Sequence, residues 1–269
     1  MDMQLTNKRA FISGSTQGIG YAIATALARE GAVVVINGRD DARVQLSVQK
    51  LQADVPGARV SGIAADFADA TQAHAHPRLQ AALDEIGPVD ILVNNVGLFD
   101  VAPFAEISDD DWARYFTVNV MSGVRLSRAL LPGMLASGWG RILFIGSESG
   151  VNVPADMLHY GVTKAGMLAL SNGLAKLTRG TGVTINTILG GPTYSDGVAG
   201  SIRDIAAAQN MPADALKASI IGANTTTLLE RFIEPEEIAH LAAYLCSPLS
   251  SATNGSALRA DGGVLTSML

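Results

Sequence analysis

Cys246 is the only cysteine in 269 residues, so no disulfide can close within the chain and a cysteine-built metal cluster has nothing to build on. Prolines number only 10 beside 28 glycines, with no collagen-like period and no low-complexity tract, which excludes fibrous and globally disordered classes. There is no excess of positive charge: the net charge is −6, against the strongly basic face that nucleic acid rewards. No apolar run is long and uncharged enough to span a bilayer; the richest early stretch, 21–36, is interrupted by Arg29 and Glu30. Residues 1–9 are polar and hold no signal-peptide core, so the expected location is the cytoplasm.

What remains is material for a large core. Residues of apolar type make up 48% of the chain and charged ones 16%. They fall into short apolar runs alternating with longer amphipathic ones. Strands are expected over 9–13, 32–37, 59–64, 89–93, 141–145, 183–189 and 256–259. Helices are expected over 18–30, 40–53, 69–86 with a break near Pro77, 108–135 with a bend near Pro132, 155–179 and 235–245. Ser108 can cap the fourth of these, ahead of three aspartates, and Pro235 suits the first turn of the last. Strands without polar alternation, each followed by a helix, imply a parallel sheet covered on both faces. The expected fold is therefore one doubly wound α/β domain over 1–269, a Rossmann-type sheet of about seven strands. Segment 194–231 breaks the rhythm; it is too long for a plain connection and reads as a helical lid over the active site.

Two patterns carry chemistry. The first strand runs into Gly14-Ser15-Thr16-Gln17-Gly18-Ile19-Gly20. Glycines let backbone approach a pyrophosphate closely, and the helix that follows offers free N–H groups and the positive end of its dipole. Further on, Tyr160 and Lys164 are four residues apart on an expected helix and so share a face. An ammonium one turn away, with a cationic nicotinamide, would stabilise the phenolate and lower the tyrosine pKa. Lys164 can also reach the nicotinamide ribose.

The glycine spacing G-x-x-x-G-x-G, with Ser147 thirteen residues before Tyr160 and Asn119 another 28 before Ser147, resembles the short-chain dehydrogenase/reductase family. The resemblance implies an Asn119–Ser147–Tyr160–Lys164 tetrad. Tyr160 is then the acid/base, Ser147 orients the reacting oxygen, and Lys164 tunes Tyr160. Asn119 interrupts regular helix bonding and holds a proton-relay water. The family's acidic position at the end of the second strand falls on Gly38, with Arg39 next, so the implied cofactor is NADP(H), with NAD(H) possible. By the same resemblance Asp66 and the Phe67 amide meet adenine, and Asn94-Asn95-Val96-Gly97 places Asn95 and Gly97 beside the adenosine. Gly191 and Thr193 border the nicotinamide, although Gly190 replaces the usual proline.

The implied reaction interconverts a ketone or aldehyde and an alcohol, with a small-molecule substrate. The motifs lie nearest to 3-oxoacyl-carrier-protein reductases; the enoyl-reducing branch spaces its Tyr and Lys more widely. An NAD-preferring dehydrogenase and a non-catalytic NADP(H)-binding sensor or scaffold stay open. The resemblance also implies a homo-oligomer, tetramer or dimer, through the two long helices after the fourth and fifth strands. No metal site is expected: His74 and His76 are two apart, while His159 and His240 stand alone. His159 is a candidate for the pocket edge. Gly-Ser-Glu-Ser-Gly at 146–150 has the outline of a hydrolase nucleophile elbow, but its central residue is Glu148.

Overall fold

Runs of apolar and β-branched residues form seven strands in a computed structural model that describes residues 2–66, 81 and 84–268. They are β1 (Arg9–Ile12), β2 (Val33–Gly38), β3 (Arg59–Ala64), β4 (Ile91–Asn94), β5 (Trp139–Ser147), β6 (Gly182–Gly190) and β7 (Ala257–Ala260). All pair in parallel, in the order β3-β2-β1-β4-β5-β6-β7. β1, β4 and β5 lie inside the sheet and are almost wholly buried, as uninterrupted apolar strands must be.

Helices cover both faces. On one, α1 (Gly18–Arg29) packs with the later helix Pro235–Cys246 over Ile12, Ile23, Leu27, Ile36, Ala239 and Ala242. Next in the chain come α2 (Asp41–Asp54), α3 (Asp109–Tyr115), α4 (Ser122–Ser137) and α5 (Leu158–Ala175). On the second face Leu126, Met134, Phe144 and Met167 form a core between the sheet and α4–α5. Ser108 caps α3 with a full capping box to Asp111. Pro235 sits in the first turn of the last helix.

Two expectations about the long fourth helix separate here. α4 runs through Pro132, while the departure from regular bonding lies upstream, in a π-helical turn over Phe116–Met121 that contains Asn119. The expected helix over 69–86 falls mostly on residues outside the described set.

After β6 come α6 (Asp196–Ala208), α7 (Ala213–Ala223) and, closing the helices, α8 (Pro235–Cys246). The segment read as a lid is therefore a helix pair, with its own small apolar cluster of Ile202, Ile221 and Phe232. Strand order reverses between β1 and β4, and a crevice opens there outside the carboxyl ends of the strands. No helix among the described residues is long and apolar enough to cross a membrane.

Candidate active site

The loop joining β1 to α1 is tied to β2 from within. Ser15 Oγ donates to the Ile12 carbonyl at 2.7 Å and accepts the Asn37 amide at 3.0 Å. Asn37 Oδ1 accepts the Gly14 amide at 3.1 Å. Gly14 and Gly18 hold φ of +60° and +61°, where side chains with a Cβ are strained. At Gly20 a Cβ would stand 2.5 Å from Asn95 Nδ2 and 2.6 Å from the Gly14 carbonyl. Asn95 earns its place there by donating to the carbonyls of Ser13 (3.1 Å) and Gly14 (2.8 Å). Helix α1 starts at Gly18 with Gln17 as its N-cap and no side-chain cap, so its first amides face the crevice as donors.

Its Gly18 amide is taken: it donates to Asp196 Oδ2 at 2.7 Å, across 178 residues. At the end of β2, a Cβ on Gly38 would come within 2.6 Å of Thr16 Cγ2, so the Thr16 side chain would have to shift to admit one. Arg39 follows, exposed. Arg43, on the first turn of α2, donates to Gln17 Oε1 at 2.8 Å and brings a second guanidinium to the same corner. Ile19 continues α1, Asp66 lies just past the end of β3 at the same edge, and Phe67 falls outside the described residues.

The four residues of the expected tetrad converge at the carboxyl end of β5. Ser147 is the last residue of that strand and Tyr160 and Lys164 share a face of α5. The Ser147 side chain acts on the Tyr160 phenol, favouring its ionised form. Lys164 Nζ donates to the Ile145 carbonyl at 2.8 Å and stands 5.5 Å from the Tyr160 ring centroid. Asn119 is locked in place: its Oδ1 accepts the Leu98 amide at 2.7 Å, and its Nδ2 donates to the Leu98 carbonyl at 3.0 Å. The same Nδ2 donates to Thr163 Oγ1 at 2.9 Å, and Thr163 in turn donates to the Tyr160 carbonyl at 2.7 Å. The π turn thus ties Asn119 to α5 through Thr163, a link that spacing alone did not show. A Cβ on Gly97 would lie 3.6 Å from both Asn119 Oδ1 and Lys164 Nζ, so the two groups border one small space.

Burial pushes the Tyr160 phenol above its ordinary pKa, Glu148 and Tyr115 push the same way, and the Ser147 side chain only partly offsets them. Burial lowers the Lys164 ammonium to about 8, against a smaller opposing pull from Glu148. In the chain by itself, desolvation is the largest influence on the phenol; the expected lowering was for a site that also holds a cationic nicotinamide.

Past β6, Gly191 is required by space, since a Cβ would sit 2.4 Å from the Asp261 carbonyl oxygen. Gly190 has ordinary room, 3.6 Å from Ile238 Cδ1, so its loss of the usual proline is not a matter of crowding. Thr193 is buried and its hydroxyl donates to the Gly191 carbonyl at 2.9 Å. His159 is not at the pocket edge: it is 3% exposed, with its ring 4.0 Å from that of Tyr115. Three neighbours escaped the sequence reading altogether. Arg43 and Asp196 depend on contacts between distant elements. Glu148 was visible only as the wrong residue for a hydrolase; its Oε2 accepts the Ser147 hydroxyl in a short hydrogen bond. Among the described residues no cluster of three metal-ligating side chains forms.

The chain is similar to known proteins over its whole length. A family model described as Enoyl-(Acyl carrier protein) reductase matches residues 14–265. The uncharacterized oxidoreductase YvrD of Bacillus subtilis (strain 168) is 42% identical over the whole of both chains. The 3-oxoacyl-[acyl-carrier-protein] reductase FabG of Vibrio cholerae is 31% identical over 97% of this chain and 99% of its own. The crystal structure of L-sorbose reductase from Gluconobacter frateurii, complexed with NADPH and L-sorbose, superposes with a TM-score of 0.92 at 32% identity, covering 100% of both chains.

Proposed function

Since this chain belongs to the short-chain dehydrogenase/reductase family, as an oxidoreductase acting on CH–OH and C=O groups, we propose that it is an NADP(H)-preferring carbonyl reductase with Tyr160 as its acid/base. The observation that carries the reading is the meeting of Ser147, Tyr160 and Lys164 at the carboxyl end of β5, with Asn119 bound to the same helix through Thr163. The Tyr–Lys spacing of four favours carbonyl over enoyl reduction, whatever the matching model's description.

A nicotinamide held there would supply the hydride for reduction and accept it in oxidation. Tyr160 donates its hydroxyl proton to the carbonyl oxygen, or removes one from the alcohol. Its raised pKa keeps it protonated and ready to donate at neutral pH. Ser147 donates to the same substrate oxygen and fixes its position. Lys164 holds the ribose hydroxyls and, beside Asn119 and Gly97, opens a path for proton exchange with solvent. Gly14 to Gly20 and the start of α1 receive the pyrophosphate, Asp66, Asn95 and Gly97 border the adenosine, and Gly191 and Thr193 border the nicotinamide.

Preference for the 2′-phosphate rests on three features. Gly38 puts no acid where NAD enzymes use one, Arg39 is exposed at the same corner, and Arg43 stands beside Gln17. The sorbose reductase relative was crystallised with NADPH. Exposed Phe116 and Val162, on the two long helices after β4 and β5, supply apolar surface for a homo-oligomer. The test is a panel of ketones, aldehydes and alcohols followed by NADPH and NADH absorbance on purified protein. Turnover of at least one carbonyl, faster with NADPH, is expected. Binding of NADPH with no turnover across the panel would overturn the reading in favour of a sensor.

A further inference from the structure

Glu148 opens a short 3-10 turn over Glu148–Gly150, directly after Ser147. Its carboxylate is held from two sides: Oε2 accepts the Ser147 hydroxyl and Oε1 accepts the Ser149 hydroxyl at 3.1 Å. Ser147 Oγ in turn accepts the Ser149 amide at 3.1 Å. Glu148 is also the one acid whose charge acts on both Tyr160 and Lys164. A carboxylate this close to the reacting groups has consequences for what can bind there.

The bookkeeping of one proton decides the matter. A serine hydroxyl has a single hydrogen to donate. In the chain by itself that hydrogen goes to Glu148. To orient a substrate carbonyl, Ser147 must turn the same hydrogen towards the substrate. Glu148 Oε2 then loses its donor in a half-buried site from which the ligand has displaced water, and an unpaired acceptor there is costly. A substrate that brings its own donor to that oxygen removes the cost. The reach fits: Oε2 is one hydrogen bond from Ser147 Oγ, and the carbonyl oxygen is another. Two links of about 2.7 Å put the carboxylate within about 5 Å of the reacting oxygen. That is the span from a carbonyl oxygen across the adjacent carbon to its hydroxyl and on to an acceptor.

We propose that Glu148 is a specificity-determining residue that selects substrates bearing a hydroxyl on the carbon next to the reacting carbonyl. The inference rests on the carbonyl-reductase reading and narrows it to hydroxy ketones and their polyol products, away from 3-oxoacyl thioesters, which carry no donor at that carbon. The same negative charge turns away substrates with an anionic group beside the carbonyl.

The experiment uses the full chain with NADPH and three ketones: 1-hydroxybutan-2-one, its methyl ether 1-methoxybutan-2-one, and butan-2-one. The ether keeps the electron-withdrawing oxygen and loses only the donor. The wild type is expected to favour the hydroxy ketone over the ether by at least about tenfold in kcat/KM. Glu148→Leu should slow the hydroxy ketone and speed the other two, bringing the ratio to within about threefold. Glu148→Gln, which keeps an acceptor, should lie between them and guards against a leucine variant that fails to fold. Near-equal wild-type rates on hydroxy ketone and ether would overturn the proposal. So would an equal loss on all three ketones in Glu148→Leu, the result of a purely structural role for the turn. Turnover of other carbonyls but of none of these three also overturns it. Absence of any carbonyl turnover would instead bring down the carbonyl-reductase reading, and the selectivity with it.

Discussion

Ser147, Asn119 and Lys164 are 6%, 1% and 5% exposed, and each is held by a named hydrogen bond to neighbouring backbone or side chain. The helix pair α6–α7 is built otherwise. α7 buries only Ile221, the pair shares a three-residue apolar cluster, and Leu228 just beyond is 82% exposed. Few buried contacts mean a low free energy of local opening, whereas the β5–α5 side opens only with the whole core. Proton transfer demands geometry held to a fraction of an ångström, and that falls on the rigid side. Admission of substrate and cofactor needs movement, and the loosely packed side can supply it.

The sharpest way to break this division is at its rigid end. Tyr160→Phe removes one oxygen from a packed ring, so the chain should fold and still bind NADPH. Its kcat should fall by about 10²–10⁴, the usual worth of a positioned acid/base. Near-normal turnover in this variant would mean that the buried tetrad is scaffolding. Next in size is a charge reversal at an exposed residue that nothing in the core depends on. Arg39→Glu should weaken NADPH by about 10–100-fold while leaving NADH within about threefold, because only the 2′-phosphate meets the guanidinium. Titration of nucleotide fluorescence reads both numbers, and equal effects on the two cofactors would remove Arg39 from the site.

Those two variants target what was most legible. The expected tetrad could be read because its members stand at the family's sequence intervals, and the parallel sheet followed from uninterrupted apolar strands. Expectation and structure agree on Ser108 as a helix cap and on irregular bonding around Asn119. The helix also runs through Pro132, as expected. What stayed hidden depends on distance in three dimensions. Arg43 meets Gln17 only through the placement of α2, and the Glu148–Ser147 contact depends on how a turn folds back. Nor could a four-residue spacing convey that burial raises the Tyr160 pKa in the chain by itself, because desolvation is a property of the packed site.

A third prediction measures what rigidity costs. Burial lowers the Lys164 pKa from its ordinary 10.5 to about 8. Below pH 8 the lysine is charged both folded and unfolded, and burying that charge opposes folding. Between about pH 8 and 10.5 the folded chain has released the proton and the unfolded chain still holds it, so this group's contribution to stability rises with pH. Lys164→Met should therefore abolish turnover yet raise stability at pH 7 by roughly 1–3 kcal/mol, with the gain fading by pH 10. Denaturant melts at the two pH values decide it; a variant less stable at pH 7 would show that the bond to the Ile145 carbonyl outweighs desolvation.

The smallest effect is expected where the loose side touches the rigid one. Asp196, in the first turn of α6, has its Oδ2 2.7 Å from the Gly18 amide, at a helix start that otherwise has no side-chain cap. A carboxylate there occupies a donor that a phosphate oxygen would use. Binding a dinucleotide pyrophosphate then means displacing Asp196, and the net exchange is small because one anion replaces another. Asp196→Asn keeps the shape and drops the charge. It should tighten NADPH by about two- to fivefold at low salt, and the gain should shrink as ionic strength rises, since the contact is exposed and screened. Weaker binding in Asp196→Asn would reverse the argument: the α6 contact would then help to hold the cofactor, and the two sides of the crevice would act as one.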